Sequence, residues 1–181
     1  MDIILWRHAE AFELAPETDS VQADLDRALT AKGERQAHRM AEWLNQRLAH
    51  STRILVSPAR RAQQTAKALD RHFKTVASLS PSASVEQLLK ASKWPDSTEP
   101  VLIVGHQPTL GLLAAHLLCG AAQPWAIKKG AVWWLRNRVR ERVTEGVREG
   151  GRDGVREGVR ERDTEISAQV ILQVVQGPDF L

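Results

Sequence analysis

The chain has 181 residues, of which 43% are hydrophobic and 26% are charged, and its formal net charge is +3. This length and composition favour one globular domain. The single cysteine, Cys119, excludes an intrachain disulfide, and we expect it to pack in the core. The small positive charge is weak support for a nucleic-acid partner, so we do not expect one.

The N-terminal sequence, Met1-Asp2-Ile3-Ile4-Leu5, has an acidic residue where a signal peptide has basic ones, and its apolar run is too short for a signal sequence. No apolar stretch of the sequence approaches the roughly 18 residues of a membrane span. We therefore expect a cytoplasmic protein that does not associate with membranes.

Apolar runs and helical patterns alternate along the chain. In chain order they predict a strand at 2–6, a loop at 9–29, a helix that Thr30 caps and that continues to about Leu48, a strand at 54–56 and a helix from Pro58 to about Arg71. They then predict a strand at 75–79, a helix at 84–91, a strand at 101–104, a helix at 108–118, and strands at 131–135 and 168–175. This alternation predicts an α/β fold with three layers, in which helices cover both faces of a mainly parallel central sheet.

Residues 138–165 consist of seven charged tetrads: RVRE, RVTE, GVRE, GGRD, GVRE, GVRE and RDTE. Glycine recurs in them and costs roughly 1 kcal/mol per helical position relative to alanine. One valine per tetrad buries too little surface to offset the entropy lost on ordering. We therefore expect a single domain, 1–181, that carries a solvated, flexible insertion at about 138–165. A single long charged helix is the alternative.

Three predicted strands are each followed by histidine or arginine. Arg7-His8 follows the first strand, Arg60-Arg61 lies just after the strand at 54–56, and His106 follows the strand at 101–104. The carboxyl ends of parallel strands line one crevice of the sheet, so these groups should converge on one pocket. Clustered cations repel one another unless an anion holds them, and guanidinium groups bind phosphate with paired hydrogen bonds. The pattern therefore indicates a phosphate site.

The same segments resemble the motifs of the histidine phosphatase superfamily. Arg7-His8 resembles its Arg-His-Gly signature, with Ala9 in place of glycine. The further matches are Ser57-Pro58-x-x-Arg61-Ala62-x-x-Thr65, Gly105-His106-Gln107-Pro108-Thr109-Leu110, the segment at 24–33 and Lys129-Gly130. They are most similar to the SixA-type phosphohistidine phosphatases. The resemblance covers about residues 1–136 and, weakly, 167–181, and the tetrads have no counterpart in it.

The resemblance implies a mechanism and a set of site residues. Neutral His8 would attack phosphorus and become phosphohistidine, which water would hydrolyse. Arg7, Arg61 and His106 would bind the equatorial oxygens and stabilise charge in the transition state. These cationic groups make a metal or another cofactor unnecessary. Gln107 joins the substrate-binding set as part of the last motif.

Arg60 and Glu86 are weaker candidates for the site. Arg60 lies about 100° around the helix from Arg61, so only one of the two points straight into the pocket. The motif register selects Arg61, and Arg60 is expected at the rim, where it attracts acidic substrates or is simply solvated. Some branches of the superfamily use a carboxylate general acid, and no segment here clearly matches it. Glu86 is the nearest candidate, on an exposed position of a short helix.

Three functions remain open at this point. The leading hypothesis is a phosphomonoester or phosphoramidate hydrolase that acts on phosphohistidine in a protein, because a phosphoramidate leaving group needs less acid assistance than an alkoxide. The second is a phosphatase of the same superfamily that acts on a sugar phosphate or a nucleotide. The third is a non-catalytic binding module whose Arg/Glu tetrads recruit a partner or nucleic acid.

Overall fold

The computed structural model describes residues 1–15, 17, 20–147 and 160–181. Its helices are α1 (Val21–Asp26), α2 (Ala31–Asn45), α3 (Arg60–Lys67), α4 (Val85–Ser92) and α5 (Thr109–Cys119). Its strands are β1 (Asp2–Arg7), β2 (Arg53–Val56), β3 (Lys74–Thr75), β4 (Val101–Gly105), β5 (Val132–Val147) and β6 (Arg160–Gln176). None of the helices in this described part is long and apolar enough to cross a bilayer.

The six strands form one sheet in the order β3-β2-β4-β1-β5-β6. The strands β3, β2, β4 and β1 are parallel to one another. The hairpin of β5 and β6 then extends the sheet at its edge, where β5 pairs with β1 in antiparallel orientation. The prediction of an α/β fold with a mainly parallel sheet is confirmed. The predicted strand at 75–79 is wrong beyond Thr75, because Ala77–Leu79 forms a 3₁₀ turn.

Two apolar clusters lie on opposite faces of this sheet. Strand side chains alternate between the faces, so Ile3 and Leu5 of β1 enter one cluster while Ile4 and Trp6 enter the other. α4 and α5 cover the first cluster, and α2 and α3 cover the second. The predicted three layers are thus observed.

The helix starts follow local capping signals. The Thr30 hydroxyl accepts a hydrogen bond from the Gly33 amide at 3.0 Å, as predicted for the start of α2. Ser84 and Gln87 form a capping box at the start of α4. The loop prediction for residues 9–29 is wrong at α1, whose cap, Ser20, was overlooked because α1 buries none of its residues and so shows no apolar period.

Two smaller predictions on helix ends also need correction. The helix expected to run from Pro58 to about Arg71 is shorter and ends at Lys67. Cys119, expected in the core, is exposed because it is the last residue of α5, where the helix leaves the sheet.

The charged tetrads do not form a wholly flexible insertion or a helix. Residues 138–147 belong to β5 and residues 160–165 to β6, in a continuous antiparallel register that pairs Val139 with Ala168 and Val147 with Arg160. Side chains along a strand alternate with a period of two residues, and four is twice that period. Each tetrad position therefore recurs on the same face of a strand. The ladder satisfies the backbone without a new core. The remaining tetrads, at 148–159, lie outside the described residues.

The long hairpin extends away from the crevice predicted for phosphate. β5 is antiparallel to β1, and Trp6 pairs with Val132 while Asp2 pairs with Arg136. The Asn137 amide donates to the Met1 carbonyl at 2.8 Å. Beyond Asn137, β5 therefore continues past the N-terminal end of β1, opposite to the end that carries His8.

Candidate active site

The carboxyl ends of three parallel strands bring the predicted residues together. His8 follows β1 and its amide donates to the Gly105 carbonyl at 3.0 Å, while His106 follows β4. The two imidazole rings lie 5.1 Å apart between centroids. Arg61, in the first turn of α3, contacts His8 from β2's side of the crevice. Arg7 is the last residue of β1 and lies close enough to His8 for its charge to lower the pKa of that imidazole, so all four predicted catalytic residues belong to one cluster.

His8 is held as a neutral imidazole with its Nε2 lone pair directed at Arg61. Its side chain is 6% exposed, and Nδ1 donates to the Ala9 carbonyl at 2.7 Å, since a carbonyl oxygen can only accept. Nε2 then accepts from Nε of Arg61 at 3.3 Å. The pKa of His8 is lowered to about 3, mainly by burial and also by the charges of Arg61 and Arg7, while the hydrogen bond to the Ala9 carbonyl opposes the shift. His8 is therefore an uncharged nitrogen base at neutral pH.

The backbone beside His8 is fixed by α3 and by the turn before β5. The Ala9 amide donates to Thr65 Oγ1 at 3.1 Å, and Thr65 Oγ1 donates to the Arg61 carbonyl at 2.7 Å. The Gly130 amide donates to the His8 carbonyl at 3.1 Å, and Gly130 has a φ of +75°, which glycine adopts without strain. These contacts give the motif residues Thr65 and Gly130 a common role in placing His8.

Arg61 is 2% exposed, and an acidic residue of α1 binds it. Its Nη2 donates to Asp24 Oδ2 at 2.9 Å, and its Nη1 donates to the Asp24 carbonyl oxygen. Burial raises the pKa of Asp24, but hydrogen bonds from Arg27 and Arg61 outweigh it and hold that pKa below its usual value. Asp24 is not among the predicted site residues, because it lies in the segment predicted to be a loop. The Ser20 cap was the signal that could have placed it on a helix.

His106 lies deeper, against β2. Its Nε2 is 2.7 Å from Ser57 Oγ, and the side chain is 4% exposed. The pKa of His106 is lowered to about 2, mainly by burial and also by the neighbouring His8 and Arg61. His106 is thus also neutral, and it can act as a hydrogen-bond donor or acceptor but not as a cation.

Unpaired polar atoms concentrate in this cluster. In the described part of the chain, the buried side-chain nitrogens and oxygens without a hydrogen-bond partner are Arg7 Nε, Thr52 Oγ1 and His106 Nδ1. Two of these three belong to the cluster. Native proteins rarely leave such groups unpaired outside functional sites. The Arg7 guanidinium also donates from Nη1 to the Ile127 carbonyl at 2.6 Å, which fixes its direction.

Gln107 and Arg60 are the two remaining candidates for substrate binding. The Gln107 amide group is engaged with the main chain: Nε2 donates to the Trp125 carbonyl at 2.7 Å, and Oε1 accepts from the Gly111 amide at 2.8 Å. Arg60 is exposed, whereas its neighbour Arg61 is buried, which agrees with the motif register.

The candidate general acid and a possible metal site were both sought in the described residues. Glu86, the candidate acid, is exposed on α4, and its pKa is lowered by a hydrogen bond from Ser84. A general acid requires a raised pKa, so Glu86 does not have the property that this role needs. No three histidine, cysteine, aspartate or glutamate side chains within the described ranges lie close enough to hold a metal ion.

Comparison with known proteins gives a family for this arrangement. Residues 3–83 match the histidine phosphatase superfamily, branch 1. The chain is 31% identical over 133 residues to the phosphohistidine phosphatase SixA of Escherichia coli, which covers 68% of this chain and 78% of that protein. It is 33% identical over 133 residues to the phosphohistidine phosphatase SixA homolog of Haemophilus influenzae, which covers 65% of this chain and 77% of the relative.

A solved structure shows the same fold. The protein histidine phosphatase SixA complexed with tungstate has a TM-score of 0.64 to this chain, at 23% identity over 99% of each chain. This likeness shows the fold, and the sequence matches show the family. The chain belongs to the histidine phosphatase superfamily, and it is a phosphatase, a hydrolase of phosphorylated substrates.

Proposed function

We propose that this phosphatase hydrolyses phosphohistidine in a protein, with Nε2 of His8 as the nucleophile. The observation that carries the proposal is the state of His8: it is buried, neutral and fixed in the tautomer that leaves Nε2 unprotonated, 3.3 Å from a guanidinium nitrogen. A nitrogen lone pair held beside arginine is suited to attack an anionic phosphoryl group, because the cation attracts the substrate while the nucleophile stays uncharged.

In the first step, the Nε2 lone pair of His8 forms a bond to phosphorus, and the bond from phosphorus to the substrate's imidazole nitrogen breaks. The electron pair of that bond returns to the departing nitrogen, which leaves as neutral imidazole when its other ring nitrogen carries a proton. In the second step, a water oxygen attacks phosphorus, the bond to Nε2 breaks and its electron pair returns to His8. Orthophosphate leaves with one proton of the water, and the other proton passes to solvent.

Arg7, Arg61 and His106 would hold the phosphoryl oxygens during both steps. The Nε–H group of Arg61 donates to His8 Nε2 in the free enzyme. It would donate to a phosphoryl oxygen instead when the lone pair of Nε2 attacks phosphorus. Ser57 Oγ accepts from the Ala59 amide at 3.2 Å and is free to donate its hydroxyl proton to His106 Nε2. In that tautomer, His106 Nδ1 carries the hydrogen and becomes a donor for the substrate.

The leaving group supports phosphohistidine rather than an alkyl phosphate. An alkoxide needs a general acid, whereas an imidazole that carries a proton on its other nitrogen leaves without one. The carboxylate in contact with the cluster, Asp24, has a lowered pKa and binds two arginines, and Glu86 is exposed with a lowered pKa. Neither would be protonated at neutral pH. Relatives that match at 31% and 33% identity bear the name phosphohistidine phosphatase.

The test is a comparison of substrates with a matched pair of histidine variants. A protein carrying labelled phosphohistidine and a panel of sugar phosphates and nucleotides are offered to the wild type, to His8→Ala and to His50→Ala, whose histidine is exposed. We expect the highest kcat/KM on the phosphoprotein, no turnover by His8→Ala, and full activity of His50→Ala. Labelled phosphate that is acid-labile and base-stable should be trapped on the wild-type enzyme and not on His8→Ala. A higher kcat/KM on a metabolite would replace the proposed substrate with a small molecule.

A further inference from the structure

Asp24 occupies the centre of a network that joins two arginines to the site. Its Oδ2 accepts from Nη2 of Arg61 at 2.9 Å, and its Oδ1 accepts from Nε and Nη2 of Arg27 at 2.9 and 2.7 Å. Arg27 donates its third nitrogen, Nη1, to the Phe12 carbonyl at 2.9 Å. One carboxylate thus ties the buried arginine of the cluster to an arginine that is itself anchored to the main chain.

These contacts determine how the Arg61 guanidinium is turned. Nη1 and Nη2 both donate to Asp24, one to its carbonyl oxygen and one to its carboxylate. The guanidinium group is planar, so fixing two of its nitrogens also fixes the third. That third nitrogen, Nε, is the one that donates to His8 Nε2 at 3.3 Å. The direction of the group that touches the nucleophile is therefore determined by Asp24.

The helix that carries Asp24 lies at the surface. α1 buries none of its residues, and its first residue, Val21, is 82% exposed. The ion pair between Asp24 and Arg61 joins α1 to α3 with an almost fully buried partner, since the Arg61 side chain is 3% exposed. The pair is consequently positioned to hold α1 beside the cluster and Arg61 within it at the same time.

We propose that Asp24 is a positioning residue of this phosphatase, which acts on the reaction by orienting Arg61 toward His8 Nε2 and the phosphoryl group. The proposal rests on the proposed function, in which Arg61 stabilises the transition state. It also has a consequence for kinetics. The negative charge of Asp24 repels an anionic substrate, so its removal does not weaken ground-state attraction, whereas loss of orientation weakens the transition state. Removing Asp24 should therefore lower kcat without raising KM.

The test is a double-mutant cycle on Asp24 and Arg61, with phosphoramidate as substrate. We expect Asp24→Ala to lower kcat on the order of 10-fold, less than the loss of the whole Arg61 donor group. In an Arg61→Ala background, the same change should alter kcat by less than about twofold, because Asp24 acts through Arg61. Asp26→Ala is the matched control, since Asp26 lies on the same helix and contacts Gln22 instead. It should keep wild-type kcat.

Asp24→Asn guards against a folding defect, because it keeps an acceptor oxygen in the same shape while the charge is removed. Both Asp24 variants are compared with the wild type by thermal unfolding. Additive losses in the cycle, a raised KM at unchanged kcat, or an equal loss in Asp26→Ala would each overturn the positioning role. If Arg61→Ala keeps wild-type activity, that result would instead contradict the proposed function, and the role of Asp24 along with it.

Discussion

Arg60 and Arg61 are adjacent in sequence but differ completely in environment. Arg61 is 2% exposed and donates to His8 and Asp24, whereas Arg60 is exposed. We predict that Arg61→Ala lowers kcat about 10²–10³-fold, the typical loss for one preorganised electrostatic contact. Arg60→Ala should leave kcat nearly unchanged and, if Arg60 attracts acidic substrates, affect only KM. Steady-state kinetics of the two variants check this, and equal losses in kcat would show that the second motif is misaligned.

The two buried histidines also make stability depend on pH. The pKa of His8 is lowered to about 3 and that of His106 to about 2, whereas histidine in an unfolded chain titrates near 6.5. Between these values the unfolded state binds protons that the folded state does not. Stability therefore decreases as the pH falls below about 6.5, by about 2 kcal/mol per histidine at pH 5 relative to pH 7.

This dependence can be measured by urea unfolding at pH 7 and pH 5. We expect the wild type to lose about 2 kcal/mol more between the two pH values than His106→Gln, which lacks one of the buried imidazoles. His50→Gln, altered at an exposed position, should behave as the wild type does. The prediction fails if the wild type and His106→Gln show the same change with pH.

At the scale of elements, the β5–β6 hairpin is separate from the site. It passes beyond the N-terminal end of β1, whereas His8 lies just after the C-terminal end. Val143 and Thr164 are register partners, so an Asn-Gly turn can join them in place of residues 144–163. We predict that this shortened variant unfolds cooperatively and keeps the wild-type kcat/KM on phosphoramidate.

A matched control deletes Thr164 as well, so the same turn forces a one-residue slip against the β5–β6 register. It should be less stable than the register-preserving variant. If that first variant loses its cooperative transition, the removed residues are structural. If it loses activity toward the phosphoprotein alone, the hairpin contributes to substrate recognition.

For the whole molecule, the source of positive charge determines whether a metal is needed. Arg7 and Arg61 bring cationic groups to the cluster, and burial lowers the pKa of both. We predict that phosphatase activity survives extensive dialysis against EDTA and is not raised by added magnesium or zinc. Turnover before and after chelation measures this. Activity that disappears with EDTA and returns with a divalent cation would refute it.

Local signals in the sequence determined most of the elements. The strand that ends at Arg7 and the one that ends at Gly105 are apolar runs followed at once by polar residues, and such runs identify buried strands wherever they pair. Thr30 and Ser84 cap helices through bonds to residues three positions away. These features depend on near neighbours in the chain, so the α/β class and the convergence of His8, Arg61 and His106 could be predicted before the structure.

Only the tertiary structure decided the state and orientation of those groups. Asp24 reaches Arg61 across 37 positions and Ser57 reaches His106 across 49, distances that no local pattern reveals. The low pKa of His8 arises from burial, which depends on what packs around it. The strand conformation of residues 138–147 and 160–165 could not be predicted for the same reason. It is stabilised by a ladder to a partner strand, and a hydrogen-bonded partner distant in sequence is a property of the fold, not of the segment.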